Sequence, residues 1–78
     1  MWIKHNNALY NTDDMYEIKV YRTQIKARFK TTNEVEVIGS FRTVEEAEGI
    51  LRSISQSLLF EDKEHPGIII KDTKVAKK

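Results

Sequence analysis

The spacing of apolar residues predicts one helix in this chain, over residues 43–60. Thr43 can cap its first turn by accepting a hydrogen bond from the amide of Glu46, and acidic residues in that turn complement the helix dipole. A helix with one apolar face must pack on another apolar surface, and a sheet is the expected one. The residues that form this face recur at steps of three and four: Val44, Ala47, Leu51, Ile54 and Leu58.

Three consecutive segments before the helix alternate between apolar and polar residues. They span residues 15–23, 25–31 and 34–41. A period of two is typical of strands that have one buried face, and short links between such strands favour an antiparallel meander. The sequence therefore predicts three adjacent strands, each paired with the next.

The apolar pattern also predicts the register of the last two of these strands. Keeping Phe29 and Val35 on one face requires an odd-length loop, so residues 31–33 are predicted to form a three-residue turn. The same alternation assigns Tyr16 to the buried face and Ile38 to the polar face. This register places opposite charges across the strands: Lys30 opposite Glu34, and Arg28 opposite Glu36.

Shorter strands are predicted near both ends of the chain. Residues 1–10 form a predicted hairpin that turns at Asn6-Asn7, followed by a tight polar turn at Asn11–Asp14. The β-branched run 68–70 predicts a last strand at a sheet edge, and the basic tail 71–78 is predicted to fray. The predicted fold is α+β: one domain over residues 1–70, with an antiparallel meander of about five strands and the helix across one face.

Composition narrows the range of functions. A chain of 78 residues forms one small domain, and the absence of cysteine excludes disulfides and thiol chemistry. A formal net charge of +1 argues against a dedicated duplex-DNA binder. No apolar run has the length of a signal peptide or a membrane span, so we expect a cytoplasmic protein without a membrane partner.

No pattern in the sequence is typical of catalysis. His5 and His65 lack further ligands at metal-binding spacing, and Asp13-Asp14 in a polar turn is typical of local capping. No serine has the surroundings of a nucleophile, and the glycines are isolated rather than grouped in a phosphate loop. We expect neither an enzyme nor a bound cofactor.

One predicted sheet face carries several cations and an aromatic side chain. Such a face can bind single-stranded nucleic acid by stacking and phosphate contacts. The competing interpretation is that Glu17, Glu34 and Glu36 neutralise the cations across the strands. The candidate residues are Lys19, Tyr21, Lys26, Arg28 and Lys30.

Two aromatic residues and two glycines are the remaining candidates. Trp2 and Tyr10 in the first hairpin can anchor a protein partner, or they can cap the core of a small domain. Gly39 near a strand end indicates a bulge or a close backbone approach. Gly49 inside the helix indicates a close backbone approach, with a hinge or a ligand contact as the alternatives, and the two glycines together predict the point where helix and sheet come nearest.

The polar turn Asn11–Asp14 and the acidic helix start Thr43-Val44-Glu45-Glu46-Ala47 follow each other in an order that resembles a known group. These are small uncharacterised proteins of Gram-positive bacteria and their phages or mobile elements. The likeness covers residues 2–60, and the tail after residue 60 departs from the shortest members. The resemblance implies the same order of strands and helix, and it brings no activity with it.

These observations predict a non-enzymatic interaction module. Its expected partner is a protein, including a second copy of the chain in a homodimer, bound through a sheet edge or the hairpin aromatics. The alternative is single-stranded nucleic-acid binding on the basic sheet face.

Overall fold

The computed structural model describes residues 1–60 and 67–74, which form six strands in two three-stranded sheets and one α-helix. The α+β class is confirmed, but the antiparallel meander of about five strands is matched only roughly, because the six strands divide between two sheets and three of them form the meander. The strands are β1 (Trp2–His5), β2 (Ala8–Asn11), β3 (Met15–Tyr21), β4 (Gln24–Phe29), β5 (Val35–Ser40) and β6 (Gly67–Ile70), and the helix is α1 (Val44–Phe60).

The small sheet has the order β2-β1-β6. The hairpin β1–β2 turns at Asn6-Asn7 as predicted, with His5 paired to Ala8 and Asn6 in the left-handed region at φ 55°. The last strand, β6, lies at a sheet edge, which confirms that prediction. It runs parallel to its neighbour β1, with Trp2 paired to Gly67 and His5 paired to Ile70. A parallel pair needs a long crossover connection, and here that connection includes α1.

The second sheet is the predicted antiparallel meander, in the order β3-β4-β5. Its first turn is Arg22-Thr23, with Tyr21 paired to Gln24 and Arg22 at φ 58°. A short 3-10 turn, Thr12–Asp14, links the small sheet to this meander, in agreement with the predicted tight polar turn.

The register of the second hairpin differs from the prediction by one residue. Arg28 pairs with Val35 and Ala27 with Glu36, whereas the prediction had set Arg28 opposite Glu36. The amide of Phe29 donates to the carbonyl of Glu34 at 3.1 Å, so the loop contains four residues, 30–33, rather than three. A one-residue slip turns each side chain to the other face of the strand.

A β-bulge then restores the burial of the strand end. Lys26 pairs with Val37 and Ile25 with Gly39, so Ile38 is an extra residue between them. Ile38 is fully buried, while Val35 is 45% exposed. Both assignments made from the alternation were therefore wrong, because alternation assumes an unbroken ladder.

A similar irregularity changes the start of β3. The register shifts between Met15 and Glu17, and Tyr16 is the residue left without a partner. Its side chain is 52% exposed, so its predicted place on the buried face was wrong.

The core lies on the inner face of the meander, where α1 and the small sheet both pack. The helix contacts β3 and β4. The small sheet reaches the meander through Tyr10, which stacks on Phe29, and through Ile70, which lies beside Gly39. The buried side chains of these elements form one cluster: Ile3, Met15, Ile25, Ala27, Phe29, Ile38, Phe41, Ala47, Ile54 and Ile70.

The helix starts as predicted, and Thr43 caps it by accepting from the Glu46 amide at 3.2 Å. The predicted contact between Gly39 and Gly49 is wrong. A Cβ on Gly39 would lie 2.8 Å from the Phe41 ring and 3.1 Å from Ile70, while a Cβ on Gly49 would meet nothing within 4 Å. Gly39 therefore leaves room for the buried ring of Phe41, whereas no side chain or backbone of the described residues packs against Gly49.

The segment 71–74, which belongs to the predicted tail, is hydrogen bonded to the body of the fold. Asp72 Oδ1 lies 2.8 Å from His5 Nε2 and accepts from the amide of Ser40 at 2.8 Å. Its next neighbour, Thr73, donates its amide to the Ser40 carbonyl at 3.0 Å. One carboxylate therefore joins the small sheet to the end of β5. Residues 75–78 lie outside the described part of the chain.

This junction predicts that Asp72 contributes to stability. Asp72→Ala is expected to lower the free energy of unfolding by about 1–2 kcal/mol, since His5 and the Ser40 amide lose a charged acceptor. The free energy is measured by urea unfolding. Lys74→Ala, an exposed change two residues away, is the control and is expected to cost less than about 0.5 kcal/mol. Equal costs for the two variants would show that the carboxylate does not hold the junction.

Candidate interaction surfaces

The outer face of the meander carries most of the predicted basic residues. Lys19 pairs with Lys26, and two residues along the strands Glu17 pairs with Arg28. Tyr21 ends β3 on the same face and is 47% exposed. Four of the five candidate residues are thus brought together. The fifth, Lys30, lies in the loop after β4, where its amide donates to the carbonyl of Asp14.

The tyrosines of this face are in contact range of its cations. Lys26 Nζ lies 4.5 Å from the centroid of the Tyr21 ring, and Arg22 Cζ lies 5.5 Å from it. Arg28 Cζ lies 6.0 Å from the Tyr16 ring, whose hydroxyl donates to Asn33 Oδ1 at 2.7 Å. These distances are in the range of cation–π contacts. We define the cationic face as six residues: Tyr16, Lys19, Tyr21, Arg22, Lys26 and Arg28.

The shifted register separates two predicted acidic neighbours from these cations. Glu36 pairs with Ala27 and not with Arg28, and Glu34, two residues earlier, lies beside Phe29. Both line a groove with Tyr10, next to the first hairpin. Burial, followed by the Glu36 carboxylate, raises the pKa of the Tyr10 phenol. The predicted neutralisation of the cations by Glu34 and Glu36 is therefore wrong.

One acidic residue does lie beside the cationic face. Glu17 Oε1 is 3.5 Å from Lys19 Nζ, and both side chains are about half exposed. An exposed ion pair of this kind is worth little, so it leaves the Lys19 ammonium available to another anion. The other close contact between a basic and an acidic side chain in the described residues is that of His5 with Asp72.

Sequence reasoning missed Tyr16 and Arg22 as members of this face. Arg22 lies in the turn and was not assigned to either face. Tyr16 follows Met15 directly, and two adjacent apolar residues interrupt strict alternation, as Val37 and Ile38 also do. Each of these two doublets coincides with a register shift, whereas Val20-Tyr21 and Leu9-Tyr10 pair without one, so a doublet alone does not predict a bulge.

The outward face of the small sheet is a second candidate surface. Leu9 and Ile69 both pair with Lys4, so they flank it in one row across the three strands, and they are 66% and 67% exposed. Trp2, two residues before Lys4, is 51% exposed. Of the two hairpin aromatics, Tyr10 is used in the fold, since its ring stacks on Phe29 with centroids 5.4 Å apart.

The open edge of β6 borders this surface. In residues 1–60 and 67–74 its one ladder partner is β1. The strand Gly67–Ile70 contains no charged residue and no proline, two of the features that protect edge strands.

Other features do not assemble a reaction site. No group of three or more histidine and acidic side chains in the described residues is placed to hold a metal ion. His5 is buried against Asp72, and His65 lies outside the described residues. An open groove of about 350 Å³ beside Gly49 has the Phe41 and Ile50 side chains in its wall.

Comparison with known proteins leaves the predicted resemblance untested. No protein-family model, curated protein or solved structure matches the chain. Within the described residues, α1 is too short and too polar to serve as a transmembrane helix.

Proposed function

We propose that this protein is a non-enzymatic interaction module that self-associates through the edge of β6. The observation that carries the proposal is the edge of β6, which no strand covers within residues 1–60 and 67–74, next to an exposed apolar side chain. Ile69 is 67% exposed on a strand that has no charge, proline or bulge along its open side. Edges of this kind pair readily with another strand, and a second copy of the chain always supplies one.

A two-fold axis beside β6 joins two copies in a simple geometry. Antiparallel pairing of β6 with β6 of the second copy makes one continuous six-stranded sheet. Such a contact stops at a dimer, because both copies use the same strand and no free β6 edge remains. The two Ile69 side chains then lie near each other at the centre of the new sheet. The Lys4 side chains lie one strand further out on each side, so their charges do not face each other.

Size is a further reason for association. A domain of 78 residues buries only about 60–65% of the surface of its unfolded chain, so its own core is small. Added strand pairing and burial of Ile69 increase the buried apolar area. Because the contact is one short strand, we expect a weak dimer. We place this activity in the cytoplasm, in keeping with the absence of cysteine.

The oligomeric state of two matched variants tests this proposal. The wild-type mass, measured by sedimentation equilibrium from about 10 µM to about 1 mM, is expected to rise from monomer toward dimer. Ile69→Lys is expected to remain a monomer throughout, because it places like charges at the paired edges. Leu9→Lys is the control: an equally exposed leucine on the other outer strand, β2, receives the same charge and is expected to leave the dimer intact.

Three outcomes would contradict the proposal. They are a monomeric wild-type protein at all concentrations, an unchanged dimer in Ile69→Lys, and equal loss of the dimer in both variants. The third outcome would assign association to the whole outward face and not to the β6 edge.

A further inference from the structure

We propose that the cationic face is a binding site for single-stranded nucleic acid. It lies on the meander and not on the small sheet, so it is separate from the proposed dimer edge and goes beyond that function. The inference rests on two properties of the face: its charge and its exposed rings.

The charge of this face differs from that of the chain as a whole. Four cationic side chains, Lys19, Arg22, Lys26 and Arg28, lie there with one carboxylate, Glu17, whereas the whole chain has a formal charge of only +1. The difference arises from the four-residue loop, because the resulting register turns Glu34 and Glu36 toward the other side. A polyanion therefore meets a local positive field that composition does not reveal.

The two tyrosines supply flat surfaces at accessible positions. Tyr16 and Tyr21 are each about half exposed, on the same strand and the same face. In the free protein their rings lie near Arg28 and Lys26. An exposed cation–π contact is worth about 0.5–1 kcal/mol, and a base stacked on an aromatic ring about 1–3 kcal/mol. A base can thus displace the cation from the ring, and the freed cation can contact a phosphate.

The same features favour a single strand over a duplex or an acidic protein. Bases within a duplex are stacked on one another and cannot lie on a tyrosine ring, whereas an unpaired strand can place bases on an open sheet. An acidic protein surface would use the cations, but it has no need of rings at these two positions. Val35, which is 45% exposed, and Val37, which is half-buried, pair with Arg28 and Lys26 and add an apolar margin that bases tolerate.

Fluorescence anisotropy with labelled oligo(dT) and oligo(U) of about ten nucleotides tests the wild-type protein. Binding at low salt is expected, and the logarithm of the binding constant should fall with the logarithm of salt concentration with a slope of about −2 to −3. That slope corresponds to three or four neutralised phosphates. A duplex of the same length is expected to bind at least about tenfold more weakly.

Variants of the tyrosine and the cations separate stacking from charge. Tyr21→Leu is expected to weaken binding about 10- to 100-fold, and Tyr21→Phe less than about threefold, because the ring remains. Lys26→Gln should reduce the salt slope by about 0.7, while Lys4→Gln on the small sheet is the control for net charge and should leave the slope unchanged. Glu17→Gln is expected to strengthen binding. Thermal melting of each variant checks that the fold is retained.

Several results would overturn the inference. Absence of binding at low salt would remove it directly. Equal affinity for duplex and single strand, or an unchanged affinity in Tyr21→Leu, would show that the face binds anions in general and does not use its rings. An acidic protein surface would then be an equally suitable partner. Equal effects of Lys4→Gln and Lys26→Gln would show that net charge and not this face is responsible.

Discussion

Ile38→Thr is expected to lower the free energy of unfolding by about 2–4 kcal/mol, while Val35→Thr is expected to change it by less than about 0.5 kcal/mol. Threonine keeps the β-branched shape at both positions, so strand propensity is nearly matched. Ile38 is fully buried, and a hydroxyl there loses apolar contacts and is cut off from water. Val35 is 45% exposed, and its hydroxyl would remain solvated.

The pair of variants tests the register directly. Urea unfolding of both proteins gives the two free energies, with equal m-values as the check that the unfolding transition is unchanged. A three-residue turn would bury Val35 and expose Ile38, so it demands the opposite order of costs. A larger loss for Val35→Thr than for Ile38→Thr would therefore refute both the four-residue loop and the bulge.

Replacing each of two glycines by alanine is expected to have opposite effects. Gly39→Ala should destabilise the fold by about 1–3 kcal/mol, because its Cβ would lie 2.8 Å from the ring of Phe41, which is itself buried. Gly49→Ala should stabilise it by about 0.5–1 kcal/mol. Its Cβ meets nothing within 4 Å, and alanine is the better residue inside a helix.

Thermal and urea unfolding of these variants measure whether each change raises or lowers the free energy of unfolding, and neither experiment needs a ligand. A further variant, Gly39→Ala with Phe41→Leu, serves as a control: the smaller side chain should relieve part of the clash, so that the two changes are not additive. A destabilising Gly49→Ala would mean that another part of the protein packs over the helix at this point.

The elements that depend on local signals were predictable from the sequence. The helix follows from its apolar period and from the Thr43 cap, and the first hairpin follows from Asn6-Asn7. Both are fixed by residues close together in the chain, so pattern and structure agree. Asn33 is in the left-handed region at φ 56°, in a loop that is one residue longer than expected.

The register of β5 was not predictable by the same reasoning. A period of two describes an unbroken ladder, and two bulges break the ladder here, at Tyr16 and at Ile38. The opposite charges of Arg28 and Glu36 supported the wrong register, because exposed pairs are worth too little to determine it. Burial of Ile38 outweighs them.

The division into two sheets depends on contacts between distant parts of the chain. The parallel pairing of β6 with β1 joins Ile68 to Ile3, and Asp72 contacts His5 near the same edge. No local pattern records such a pairing. The candidate surface at β6 depends on this pairing in turn, since β6 becomes an edge only because it lies outside β1.

Dilution of the wild-type protein, followed by amide chemical shifts, tests the proposed function most directly. Between about 1 mM and about 20 µM, the shifts that change are expected to be those of β6, centred on Ile69, while Leu9 on the far strand and Tyr21 on the meander remain constant. Constant shifts throughout the chain, or changes centred on Tyr21, would contradict self-association through the β6 edge.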